Sequence, residues 1–92
     1  MQKYFVEFLG TTIFLSSILY LVKNKISYAP YLIGLVLTIV ILAGGAISGG
    51  HYNPAVSFMF FLNKKLSITD LVGYIISQLL GATVSYLLIT NI

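Results

Sequence analysis

Cysteine is absent from the 92 residues, so disulfides and thiolate metal sites are excluded. Charge is scarce. Asp, Glu, Lys and Arg make up 8% of the chain, against roughly 25% in a soluble domain. The two acidic residues, Glu7 and Asp70, are far apart in the chain and form no carboxylate dyad, and no nucleophile–base pair stands in the sequence. An enzyme is therefore not expected, and no cofactor is implied. With His51 as the one histidine, a metal centre is not expected either. The lysines are scattered with no long basic run, which argues against nucleic acid and for anchors at a membrane edge. A flexible linker, a low-complexity tract and an internal repeat are all missing. Nor does the first apolar stretch read as a signal peptide, being too long and lacking a small-residue cleavage site.

What is present is apolar. Hydrophobic residues make up 59% of the chain, and the mean hydropathy is +1.01. Residues 1–92 read as a single all-α membrane domain. One apolar segment runs from Tyr4 to Val22 and stops at Lys23-Asn24-Lys25. A second, Tyr31 to Ile47, is opened by Pro30 and dissolves into Ala43-Gly44-Gly45-Ala46. The last runs from Ser67 to Ile89, with Ser67 and Asp70 spaced as a capping box. Glycines 10, 34, 73 and 81 fall within these spans, where small residues permit close helix contact.

Between the second and third spans lies Ser48-Gly49-Gly50-His51-Tyr52-Asn53-Pro54-Ala55-Val56-Ser57. Asn53 before Pro54 is an N-cap followed by a first helical residue whose missing N–H leaves no bond unmade. The helix it opens, Asn53 to Leu62, ends at Asn63-Lys64-Lys65. At ~1.5 Å per residue it rises roughly 15 Å, half of a ~30 Å hydrocarbon core. Such a helix is re-entrant, and irregular backbone at mid-depth survives only where it lines a cavity or is buried in protein. The fold expected is three transmembrane helices plus one re-entrant half-helix.

Each residue of this segment also has a plainer reading. Asn53 either caps a short surface helix or caps a pore helix and leaves its NH₂ facing a lumen. Gly49 and Gly50 are turn glycines, or they let the carbonyls of residues 49–52 approach a lumen. His51 donates to a solute or ties the loop to its neighbours, and the second role is favoured. Glu7 snorkels toward Lys3, or is a buried functional carboxylate. Tyr52 is read as packing, and Gln78 as an internal hydrogen bonder or a residue facing a partner helix.

Glu7-Phe8-Leu9-Gly10-Thr11, the stretch from Ile47 to Ser57, and Gln78-Leu79-Leu80-Gly81-Ala82 together resemble three signatures of the major intrinsic protein family, the aquaporins and glycerol facilitators. Their order and spacing match the N-terminal half of that family. The resemblance implies an aquaporin-like half-repeat whose Asn53-Pro54-Ala55 tip meets a second, inverted half at the midplane. It implies that Glu7 accepts hydrogen bonds from the loop and that Ile33, twenty residues before Asn53, stands at a constriction of the pore, the plainer reading of Ile33 being one more lipid-facing isoleucine. It implies a passive channel for water or small neutral solutes such as glycerol. The second Asn-Pro-Ala, the filter arginine and the last three spans are not in this sequence. The chain is thus expected to be a fragment, to pair with a complementary half-channel, or to form a homo-oligomer in the bilayer. Lys3, Lys64 and Lys65 on one side against Lys23 and Lys25 on the other permit insertion either way. A membrane interaction protein that associates with full-length relatives without conducting is the alternative.

Overall fold

A computed structural model describes Met1–Ile92 as four helices: α1 (Gln2–Lys23), α2 (Ala29–Ser48), α3 (Pro54–Leu62) and α4 (Ile68–Thr90). α1, α2 and α4 have 22, 20 and 23 residues and are long and apolar enough to cross a membrane. α3 has nine residues and rises about 14 Å. The expected spans are each extended by one or two residues at an end, with Ser67 itself remaining outside α4 as its cap.

Polar contacts fix the directions. At one end of the bundle the Lys3 ammonium donates to Asp70 Oδ2 at 2.8 Å, and Tyr4 Oη donates to Oδ1 at 2.6 Å. Midway, Ser85 Oγ donates to the Thr12 carbonyl at 2.8 Å, and at the far end Lys23 reaches the Ile89 carbonyl at 3.2 Å. α1 and α4 therefore run parallel, and α2 returns between two crossings.

α1 and α3 stop in the same way. Ile26 N–H donates to the Leu21 carbonyl and Lys25 N–H to that of Val22, a Schellman pair; Lys65 and Lys64 repeat it on Phe60 and Phe61. Lys25 and Lys64 hold the left-handed position, with φ of 54° and 61°, where glycine is more usual. Two of the five lysines that mark the membrane edges in the sequence are thus also residues that turn the chain.

Two expectations need correction. Ser67 Oγ accepts the Asp70 N–H, yet the Asp70 carboxylate turns away to Lys3 and Tyr4, so only half of the capping box forms. An ammonium is a stronger partner for that carboxylate than a backbone N–H. Gly34 has nothing within contact range of a Cβ placed on it, so it makes no close helix contact. Gly81 does: an added Cβ would stand 2.9 Å from the Phe8 carbonyl oxygen, which is why α4 can lie against α1.

The interior is polar and the exterior apolar. Glu7, Thr11, Ser57, Gln78 and Ser85 are buried, while Ile39, Leu42, Leu79 and Leu87 face outward. A soluble domain has the reverse arrangement. In lipid, outward apolar side chains cost nothing and inward polar ones find partners. Single cysteines at Gln2 and Asn63 should both react with an impermeant maleimide from one face of the membrane, and those at Asn24 and Asn91 from the other. Asn63 labelling from the Asn24 face would mean that α3 spans.

Candidate pore loop

α2 ends where Gly49, at φ 92°, takes the left-handed cap and donates its N–H to the Gly45 carbonyl at 2.8 Å. Gly50 follows at φ 65°, so close to α2 that a Cβ would stand 3.3 Å from Ile41 Cα. Its N–H donates to Ser48 Oγ at 3.1 Å. Only glycine combines both demands without strain.

Glu7 is the hub. It is fully buried, and its carboxylate accepts four hydrogen bonds. Oε2 takes Ser48 Oγ–H at 2.8 Å and the His51 N–H at 2.9 Å; Oε1 takes the Tyr52 N–H at 2.7 Å and Gln78 Nε2 at 2.9 Å. Four donors fill the ~four lone-pair sites of an acceptor-only carboxylate. No cation lies against it, because Lys3 is engaged by Asp70 at the membrane edge. The buried charge is held by neutral dipoles instead, each bond strengthened by that charge. Three of the four donors come from residues 48–52, so Glu7 dictates the path of the loop.

Gln78 carries the network onward by donating to Ser57 Oγ at 2.9 Å. Ser57 Oγ also shares a hydrogen bond with His51 Nδ1 at 2.8 Å. The His51 ring stacks on Phe60 with centroids 4.7 Å apart and lies 5.0 Å from Tyr74, whose hydroxyl donates to the Ser48 carbonyl. His51 thus sits in the packed wall between α3 and α4, tied to its neighbours.

Asn53 faces the opposite way. Its backbone is extended at φ −162°, and Oδ1 accepts the Ala55 N–H at 2.8 Å, which orients the carboxamide. Nδ2 donates to no group of the chain, and Asn53, Pro54 and Ala55 are all exposed. Asn53 and Pro54 border a recess of about 240 Å³ between α1 and α4, whose other lining includes Thr11, Phe14, Gln78 and Leu79. Thr11 and Gln78 lie halfway along α1 and α4, so the tip of α3 is at mid-depth. Thr11 Oγ1 and Gln78 Oε1 are buried without a partner. Ile33 is half-buried on α2 and is not part of this lining.

Tyr74 belongs to the site and was not singled out in the sequence, and Ser48, Ser57 and Thr11 stood in the quoted stretches without a role of their own. The available signal was weak: hydroxyls inside otherwise apolar stretches, where each needs a partner.

Three crossing helices, a short helix starting at mid-depth and an inward polar network make this an integral, multi-pass membrane protein with an aquaporin-like half-repeat. The chain belongs to the major intrinsic protein family, whose model matches residues 1–92. It is 40% identical over 88 residues to a glycerol uptake facilitator protein-like 6 from Lactiplantibacillus plantarum, covering 92% of this chain and 41% of that protein. It is 38% identical over 92 residues to aquaporin NIP3-1 of Arabidopsis thaliana, covering 91% of this chain and 28% of that one. Over 49 residues, 53% of the chain and 17% of the relative, it is 53% identical to aquaporin PIP1-3 of the same plant. The chain spans less than half the length of each of these relatives.

Proposed function

We propose that this chain supplies one half of a passive transmembrane channel for water and small uncharged solutes such as glycerol. The observation that carries the reading is Asn53: its Oδ1 is spent on the helix cap, and its Nδ2 is left as a free donor at mid-depth. α3 adds roughly half a positive charge at the same tip, disfavouring cations and excess protons where a water or hydroxyl oxygen is welcomed. Glu7 and Gln78 hold the loop, and Gly49 and Gly50 let its backbone approach the lumen. Ile33 is the proposed constriction residue of this half. An aliphatic side chain there leaves room for a carbon backbone.

A complementary half is part of the proposal. The tip residues Asn53, Pro54 and Ala55 are exposed, and Asn53 Nδ2 has no partner within the chain. Unmet polar groups facing hydrocarbon are costly, so the chain by itself is expected to associate in mild detergent rather than remain a monomer. Proteoliposomes holding the chain, alone and with the C-terminal half of a full-length relative, test the function by stopped-flow light scattering under water and glycerol gradients. Permeability above that of empty vesicles in either preparation supports the channel. Equality with empty vesicles in both rejects it and favours a membrane interaction protein.

A further inference from the structure

We infer that Tyr52 is a positioning residue: its phenol, wedged between α1 and α2, sets where Asn53 presents its amide. This rests on the reading of Asn53 as the pore contact. Tyr52 holds a left-handed backbone at φ 53°, a conformation that a bulky residue adopts only when its surroundings impose it. Its side chain is only 3% exposed. The slot it fills exists because two residues lack side chains. A Cβ at Gly10 would collide with the Tyr52 ring, and one at Gly44 with its hydroxyl. At the end of the slot the hydroxyl donates to the Val40 carbonyl at 2.7 Å, while the Tyr52 N–H is held by Glu7 Oε1 at 2.7 Å.

Tyr52 is therefore tied to α1 through Glu7 and Gly10, and to α2 through Gly44 and Val40. Asn53 is the next residue, in extended backbone, with no other bond from its side chain than the cap to Ala55. The orientation of Tyr52 passes directly to it. Beyond the ring the slot opens into an apolar recess of about 150 Å³ lined by Val6, Leu9, Ile13 and Ala43 among others. A side chain without the hydroxyl has space to shift there, so the bond to Val40 is what fixes the ring along the slot. A change in the spacing of α1 and α2 would consequently move the amide at the tip of α3.

Hydrogen exchange at the Ala55 N–H tests this, because that N–H is bonded to Asn53 Oδ1 and its protection reads the placement of the side chain. The whole chain in lipid nanodiscs, followed by NMR, is compared with Tyr52→Phe and Gly44→Ala. Tyr52→Phe keeps the ring and removes one hydrogen bond, so Ala55 should exchange about five-fold faster. Gly44→Ala pushes on the same hydroxyl from α2 and should act in the same direction. Amides in the middle of α1 and α4 should be unchanged in both, which reports intact folding. A residue that merely fills space would leave Ala55 at the parent rate in Tyr52→Phe, and that result overturns the proposal whatever Gly44→Ala does. The readout needs no transport, so a chain that fails to conduct while Ala55 responds would remove the channel reading and leave the coupling standing.

Discussion

Glu7→Gln is expected to release the loop while leaving all three spans inserted. The substitution preserves size and shape, but it replaces one acceptor oxygen by an NH₂ donor. Ser48 Oγ–H and the Gln78 amide can rotate or flip to adapt. The backbone N–H groups of His51 and Tyr52 cannot, and one of them lies on each carboxylate oxygen. Either orientation of the new amide therefore points a donor at a fixed donor. Leaving a buried backbone N–H unmatched, together with the loss of the charge that strengthens the other three bonds, should destabilise the fold by about 3 kcal/mol. Unfolding in a steric-trap or mixed-micelle titration measures this, and protease access at Gly49–Gly50 should increase. Asp70→Asn is the control: its carboxylate sits at the membrane edge against Lys3 and Tyr4, where solvent screens the charge and an asparagine oxygen can still accept, so its loss should be clearly smaller. Equal losses in the two variants would show that Glu7 is not the hub.

If the proposed half-channel conducts, alone or with its complementary half, Asn53→Asp is expected to abolish most of that conduction without unfolding the chain. Aspartate caps a helix as well as asparagine does, so the Ala55 N–H remains satisfied. The variant lacks the Nδ2 donor and places a carboxylate at the positive tip of α3, drawing cations to a position that the parent keeps neutral. A barrier raised by about 1.4 kcal/mol lowers permeability tenfold, and a fixed charge at a narrow low-dielectric point supplies at least that. Both water and glycerol fluxes should fall together. If Ile33 stands at the proposed constriction, Ile33→Phe should behave differently, lowering glycerol flux more than water flux, because it would change width rather than charge. If Asn53→Asp conducts as the parent does, the tip of α3 is not on the solute path.

The family signatures, the three spans and the half-helix were legible because each rests on local chemistry. Apolar length sets a span, Pro54 after Asn53 sets a helix start, and Lys64-Lys65 sets its stop. Reading the in-span glycines as close-contact residues held for Gly81 and not for Gly34. Apart from the loop contacts of Glu7, which the family resemblance implied, the sequence did not supply the partners of the buried polar groups. Glu7 meets donors 41 to 71 positions away, and Lys3 passes over nearby Glu7 for Asp70, 67 positions on. Gly10 and Gly44 read as helix-packing or helix-ending residues, yet they form the two walls of a slot for Tyr52.

The reason is physical. In lipid the apolar faces carry little directional information, since one hydrocarbon contact is worth about as much as another. A chain can therefore announce that it spans a membrane, and where it turns, from composition and punctuation alone. Which helix faces which is decided by a few inward hydrogen bonds and glycine contacts between residues far apart in sequence. Those pairings exist only once the bundle has closed around Glu7.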